Sequence, residues 1–147
     1  MLKFGSVKSF FLVLLQFTFI IFIFITGRII PDNIFLQIIF VLSFIPGLFA
    51  ILVMKFNFNI APDFKPGAIF VNKGPYKFIR HPMYTTVLLS ILCLVINYFS
   101  VLRLSIFIFL SITLIMKITF EEKILSDKFD SYREYKIKTK KLIPYIY

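Results

Sequence analysis

Four runs of apolar residues, separated by polar and basic segments, dominate the pattern of the chain. The runs cover approximately residues 10–26, 34–54, 83–101 and 104–120. A helix rises about 1.5 Å per residue, so a run of roughly 20 residues can cross a hydrocarbon core of about 30 Å. The last two runs are short, and we expect them to form a helical hairpin. The pattern predicts an all-α fold: a polytopic membrane helix bundle with about four transmembrane helices in a single domain, residues 1–147.

Features inside and after these runs predict where helices bend and where the last one lies. Pro46 is expected to kink the second helix, because proline removes a backbone donor and clashes with the preceding turn. Beyond the fourth run, apolar side chains recur four, three and three positions apart, as on one face of a helix. These side chains are Leu125, Phe129, Tyr132 and Tyr135. We therefore predict an amphipathic cytoplasmic helix over approximately residues 121–138.

The first run also resembles the apolar part of a secretory signal peptide, because Lys3 and Lys8 precede it. However, the run lacks a small-x-small cleavage pattern, and it ends at Thr26, Gly27 and Arg28. We therefore predict an uncleaved membrane span.

Basic residues are concentrated in three segments of this chain, which carries a formal net charge of +10 and is 59% hydrophobic. All but two of the 17 Lys and Arg residues precede the first run, lie in the polar loop 55–81, or lie from residue 117 onward; the exceptions are Arg28 and Arg103. Cytoplasmic loops of membrane proteins are enriched in positive charge. We therefore predict an inner or plasma membrane protein whose termini and central loop are cytoplasmic. Its basic segments should meet the lipid bilayer, with no nucleic-acid partner.

A first candidate cluster lies at the end of the long central loop, just before the third run. Pro82 suits the first position of a helix and biases His81 away from helical geometry, so His81 should lie at the helix N-cap. Free backbone N–H groups and the positive end of the helix dipole gather there. With the fixed charge of Arg80, this is a place for an anion such as a carboxylate or a phosphate. The alternative is that Arg80 and His81 are interfacial anchors.

A second candidate cluster lies where the fourth run leaves the membrane. Glu121 and Glu122 are adjacent carboxylates near an anionic surface, and Lys117 shares a helix face with Glu121. The two carboxylates are about 100° apart on a helix, so they should not face one site equally. They could instead be solvated charges of the helix surface. We expect this cluster and the His81 segment to converge on one cytoplasm-facing pocket.

Other kinds of site are not expected. His81 and Cys93 are the single His and the single Cys, too few for the convergent ligands of a metal centre. The chain also lacks a convincing Ser–His pair and a glycine-rich phosphate loop.

The two clusters together resemble the isoprenylcysteine carboxyl methyltransferase and phospholipid methyltransferase superfamily. The ordered motif residues are Gly74, Pro75, Tyr76, Arg80, His81, Pro82, Met83, Tyr84, Glu121, Glu122 and Leu125. Supporting matches are Asn57, Phe58, Tyr132, Tyr135, Leu142, Ile143 and Pro144. The resemblance covers roughly residues 45–144. This chain has Thr86 where the family often has Gly, and Lys117 where it often has Arg.

The resemblance implies a membrane-embedded methyltransferase that uses S-adenosylmethionine and acts on a lipophilic, isoprenoid or lipid-like acceptor, with carboxyl O-methylation as one candidate reaction. It also implies a set of cofactor-binding residues, while no catalytic residue is assigned. The set is Tyr76, Arg80, His81, Pro82, Tyr84, Lys117, Glu121 and Glu122. The helix start at Arg80 and His81 suits the cofactor carboxylate, and the Glu pair suits its ammonium or ribose hydroxyls. The alternatives are a sterol-reductase-type enzyme using a nicotinamide cofactor and a non-catalytic membrane scaffold.

Overall fold

The computed structural model describes residues 7–54, 71–144 and 146–147. Their regular structure consists of helices α1 (Val7–Ile25), α2 (Ile34–Leu42), α3 (Phe44–Val53), a 3₁₀ helix (Gly74–Lys77), α4 (Pro82–Asn97), α5 (Val101–Lys128) and α6 (Ser131–Lys138). One isolated parallel bridge joins Ile79 to Lys140. The predicted all-α fold is confirmed for this part of the chain. The basic Lys3, most of the central loop, and Asn57 and Phe58 of the family resemblance lie outside the described residues.

The long helices pack in alternating directions. Arg103, near the start of α5, contacts the carbonyls of Ile23 and Leu94, near the ends of α1 and α4. Further along α5, Lys117 contacts Gln16 in the middle of α1. Both α1 and α4 therefore run opposite to α5. The buried residues between these three helices form one apolar core: Ile23, Ile91, Leu94, Val95, Leu110 and Leu114.

Within the part of the chain that the structure describes, three helical segments are long and apolar enough to cross a membrane: Val7–Ile25, Ile34–Val53 (α2 with α3) and Val101–Lys128. Many of their large apolar side chains are exposed, as expected of a surface that faces lipid rather than water. The helix predicted over residues 83–101 is shorter and extends over Pro82–Asn97, with 16 residues. The chain is an integral membrane protein.

The interruption expected at Pro46 lies three residues earlier. Helix α2 ends at Leu42, whose carbonyl would clash with the proline ring in a continuous helix, and α3 begins at Phe44. Ser43 between them keeps helical dihedral angles, and the two helices together form the second candidate span. One residue after the proline, Gly47 donates its backbone N–H to Thr86 on α4, over 2.8 Å.

Helix α5 is longer than the predicted span 104–120, at both ends. It begins at Val101, where the Ser100 side chain accepts a hydrogen bond from the Arg103 backbone N–H. It continues to Lys128 because no Gly or Pro occurs within it. The single helix predicted over residues 121–138 is therefore divided: its first part belongs to α5, the chain is extended at Phe129, and α6 follows.

Candidate functional site

A tight turn before α4 brings Tyr76 to the end of the bundle. Gly74 has φ of +60°, and a side chain there would lie 2.7 Å from the Val53 methyl group, so glycine is required both by conformation and by space. The Tyr76 hydroxyl contacts the Met54 sulfur at 2.9 Å, and its carbonyl accepts a hydrogen bond from the Tyr135 hydroxyl. Tyr76 thus joins α3, the turn and α6.

The start of α4 has the predicted geometry. His81 is the N-cap residue in a non-helical conformation, and Pro82 occupies the first turn. The backbone N–H groups of Arg80 and His81 do not meet a ligand. They donate to the carbonyls of Lys140 and Lys141, over 2.8 and 3.0 Å. The segment after α6 therefore lies across the beginning of α4.

Arg80 holds this segment and one of the two predicted carboxylates. Its Nε donates to Glu122 Oε1 over 2.7 Å, and both side chains are almost fully buried. Its Nη1 donates to the carbonyls of Lys136 and Thr139, at the end of α6. Arg80 thus pairs with an anion of the chain itself, the Glu122 carboxylate. A buried charge of this kind is tolerated because it is both paired and hydrogen-bonded.

His81 lies between the two carboxylates. Its Nδ1 is 3.4 Å from Glu121 Oε2, and its Nε2 is 3.4 Å from Glu122 Oε1. The carboxylates do not share one environment, since the Glu122 side chain is 4% exposed and the Glu121 side chain 17%. They contact the same imidazole because its two nitrogens point in different directions. The side chains of the two predicted clusters therefore meet at His81.

The contacts of His81 favour its charged form. Burial lowers the pKa of the imidazole, but hydrogen bonding to Glu121 and Glu122 and their negative charges raise it, and the net shift is upward. Within the described residues, Nε2 makes no hydrogen bond of good geometry despite its proximity to Glu122. Both imidazole nitrogens nevertheless face a carboxylate, as the charged form requires.

Tyr84 and Lys117 extend the cluster into the bundle. The Tyr84 hydroxyl donates to Glu121 Oε1, and the ring stacks on His81 with centroids 5.6 Å apart. The Lys117 ammonium lies 5.2 Å from the centroid of the Tyr84 ring. Lys117 is 1% exposed and donates to Gln16 Oε1. The predicted residues of α4 and α5 thus form one continuous set of contacts.

Lys136 is a member of the cluster that the sequence analysis did not identify. Its ammonium lies 3.2 Å from Glu122 Oε2, and its side chain is 46% exposed. The signal for it was present: Lys136 follows the buried Tyr132 by four positions, and therefore shares its helix face. Across residues 7–54, 71–144 and 146–147, no group of three or more His, Cys, Asp or Glu side chains could hold a metal ion.

The comparisons with known proteins identify a family over much of this structure. Residues 34–127 match the isoprenylcysteine carboxyl methyltransferase (ICMT) family. The chain belongs to this family. The matched range extends from the start of α2 almost to the end of α5, and it contains both the His81 segment and the Glu pair. The description of the family names a methyltransferase.

A curated relative of this ICMT-family chain is "Uncharacterized protein YpbQ" of Bacillus subtilis (strain 168). The two are 38% identical over 63 residues, which are 42% of this chain and 38% of YpbQ. The match thus spans well under half of the relative's length. No solved structure matches the chain.

Proposed function

We propose that the protein is an S-adenosylmethionine-dependent methyltransferase that acts on a lipophilic, isoprenoid or lipid-like acceptor within the membrane. The observation that carries the proposal is the buried cluster at the start of α4, where Arg80, His81 and Tyr84 meet Glu121 and Glu122. Both contributing segments lie in the range matched by the methyltransferase family. Carboxyl O-methylation is the reaction that the family description names.

The chemistry of the cluster fits this cofactor, which carries an ammonium, a carboxylate and two ribose hydroxyls. Glu121, the more exposed carboxylate, would accept hydrogen bonds from the ammonium or the hydroxyls. Lys136, whose side chain is 46% exposed, would meet the cofactor carboxylate. Arg80 and Glu122 would act mainly by holding these groups and the segment after α6 in place.

S-adenosylmethionine, when bound, supplies a methyl group on a positively charged sulfur. The protein then has to orient the acceptor and exclude water, and positioning of this kind can contribute about 7–11 kcal/mol. The Tyr84 ring is held in place by its contacts with Glu121, His81 and Lys117. A fixed aromatic ring of this kind is suited to orienting the acceptor and excluding water. A lipid-like acceptor would enter from the bilayer, along the exposed apolar side chains of the helices.

We further propose four membrane crossings, by α1, by α2 with α3, by α4 and by α5. The 16 residues of α4 extend roughly 24 Å, close to the thickness of a hydrocarbon core of about 30 Å. Lys8 and Lys128 lie at the same end of the bundle as His81, and Arg28 follows α1 at the other end. The positive-inside rule then puts the site and both termini on the cytoplasmic side.

Cysteine labelling tests this orientation in a Cys93→Ala background. A membrane-impermeant reagent should label Arg28→Cys from outside intact cells and leave Lys138→Cys unmodified. Labelling of Lys138→Cys from outside would contradict the proposed orientation.

Calorimetric titration of the purified protein tests the activity class. We expect binding of S-adenosylmethionine and no binding of a reduced nicotinamide, followed by transfer of radioactive methyl from the cofactor to a lipid extract. Binding of the nicotinamide alone would support a reductase, and binding of neither would support a scaffold.

A further inference from the structure

Gln16 is unusual among the polar residues of α1. Lys8 and Ser9 lie in the first turn, and the Thr18 hydroxyl bonds to the carbonyl of Leu14 in its own helix. Gln16 lies in the middle of the apolar helix, is 7% exposed, and directs its amide oxygen away from α1. Burying an amide in a membrane helix is costly unless its hydrogen bonds are satisfied. Its position therefore calls for a partner, and the partner lies on α5.

That partner is Lys117, whose Nζ donates to Gln16 Oε1 over 2.5 Å. A buried ammonium requires compensating oxygen or aromatic groups in order to keep its charge. Gln16 provides one such oxygen, and the face of the Tyr84 ring provides a second favourable contact at 5.2 Å. The position of the ammonium between α1 and α4 is thus partly determined by Gln16.

Lys117 in turn acts on a ring that is in contact with the candidate site. Tyr84 stacks on His81 with an interplanar angle of 14°, and its hydroxyl donates to Glu121. Displacement of Lys117 would remove the cation–π attraction between its ammonium and the Tyr84 ring. The Tyr84 hydroxyl, the accessible carboxylate of Glu121 and the imidazole of His81 would then lose their common geometry.

Helix α1 lies before residues 34–127, the range matched by the ICMT family. We infer that Gln16 is a positioning residue of the site, and that through Lys117 it fixes the Tyr84 ring against His81 and Glu121. The contribution of this residue to cofactor binding rests on the proposed function. Its effect on the geometry around His81 does not. The site of this chain thus includes a side chain from the first helix.

Three variants test the inference, with Thr18→Val on the same helix as a matched control. Gln16→Met removes the oxygen, Gln16→Glu retains it, and the pair Gln16→Met with Lys117→Met also removes the ammonium. Because His81 is the single histidine, one imidazole resonance in a nuclear magnetic resonance spectrum reports on the site without a cofactor. Calorimetry with S-adenosylmethionine and thermal unfolding are measured on the same samples.

We expect Gln16→Met to shift the His81 resonance, lower the melting temperature, and weaken binding of S-adenosylmethionine by about tenfold. Gln16→Glu and Thr18→Val should behave as the parent. In the double variant both partners are apolar, so the melting temperature should recover, whereas the resonance and the affinity should not.

Recovery of the resonance and the affinity along with stability in the double variant would overturn the inference, because Gln16 would then serve the fold alone. A parent-like resonance in Gln16→Met would also overturn it. If the parent itself fails to bind S-adenosylmethionine, the proposed function fails, and the His81 resonance still decides the role of Gln16.

Discussion

The two ends of the bundle each contain a buried arginine, and the two are neutralised differently. Arg103 is 2% exposed and donates to the carbonyls of Ile23 and Leu94, in the last turns of α1 and α4. Arg80 also binds carbonyls at a helix end, those of Lys136 and Thr139, but it additionally pairs with a carboxylate. Carbonyls at helix C-termini carry partial negative charge and suit a cation. Both arginines therefore tie helix ends together.

The two arginines differ in whether a carboxylate pairs with them. Among the described residues, no carboxylate pairs with Arg103, whereas Arg80 shares Glu122 with His81 and Lys136. A guanidinium held by carbonyls has nothing that titrates near neutral pH, and it has a structural role. A cluster of carboxylates, an imidazole and a partly exposed ammonium can exchange partners with a ligand. The comparison separates the end of the bundle where Arg103 holds helices together from the end that we propose to bind the cofactor.

Arg80→Met should have the largest effect. It leaves the buried Glu122 without its closest cation, which costs about 3–5 kcal/mol of unfolding free energy. It also releases the segment after α6, so binding of S-adenosylmethionine should be lost as well. Chemical denaturation and calorimetry measure the two effects. A stable variant with parent-like affinity would show that Arg80 is only an interfacial anchor.

Arg103→Met should destabilise the protein without affecting the site. The carbonyls of Ile23 and Leu94 lose a charged donor and keep the Thr26 hydroxyl and the Tyr98 N–H, so the cost is about 1–3 kcal/mol in all. Variant protein that remains folded should bind S-adenosylmethionine as the parent does. A loss of affinity with unchanged stability would contradict the assignment of separate roles to the two ends.

Gly27→Ala should have a similar but smaller effect at the Arg103 end. A methyl group at this position would overlap Arg103 Nη1, so the guanidinium has to move away from its carbonyl partners. Overpacking of this kind costs about 1–3 kcal/mol. A melting temperature equal to that of the parent would show that the guanidinium can adapt.

The sequence predicted the site better than it predicted the helices around it. Pro82 after His81 favoured a helix start, and the adjacent carboxylates of Glu121 and Glu122 near an anionic surface favoured a functional cluster, so we could expect the two segments to converge. The C-terminal boundary of α5 could not be predicted. The position of α6 could not be predicted either, because the bonds of Arg80 to the carbonyls of Lys136 and Thr139 join residues that are 56 and 59 positions apart.

The roles of two basic residues, Arg103 and Lys136, also could not be predicted from the sequence. Arg103 suggested an interruption between apolar runs, because an isolated arginine in a span is normally excluded from lipid. The structure instead buries it against carbonyls that only the packing of α1 and α4 brings together. Lys136 was not identified, because its contact with Glu122 depends on how α6 packs beside α5.

The pH dependence of stability should distinguish the two ends of the bundle, and its effect should be smaller than those of the substitutions above. The pKa of His81 is raised in the folded protein, so folding favours its protonated form. The stabilisation from its charge is complete below about pH 6.5, the value of an unfolded histidine, and is lost as pH rises through the folded pKa. The melting temperature of His81→Gln should lie below that of the parent, and this difference should therefore shrink between pH 6 and 9. The corresponding difference in melting temperature for Arg103→Met should stay constant, because arginine does not titrate in this range.

Thermal unfolding over that range measures both differences, and the single imidazole resonance gives the His81 pKa directly. A His81 pKa below 6.5 would contradict the arrangement in which two carboxylates stabilise the imidazolium.

Calorimetric titration of S-adenosylmethionine into Glu121→Gln, Glu122→Gln and Glu134→Gln tests the cofactor site most directly. Glu134 is an exposed carboxylate in the first turn of α6, outside the cluster, and serves as the matched control. A glutamine in place of Glu121 leaves the Arg80 pair intact but removes the charge that would meet the cofactor ammonium. We expect Glu121→Gln and Glu122→Gln to weaken binding about tenfold or more, and Glu134→Gln to bind as the parent does. Equal affinity in all three variants and the parent would contradict the assignment of the Glu pair to the cofactor site.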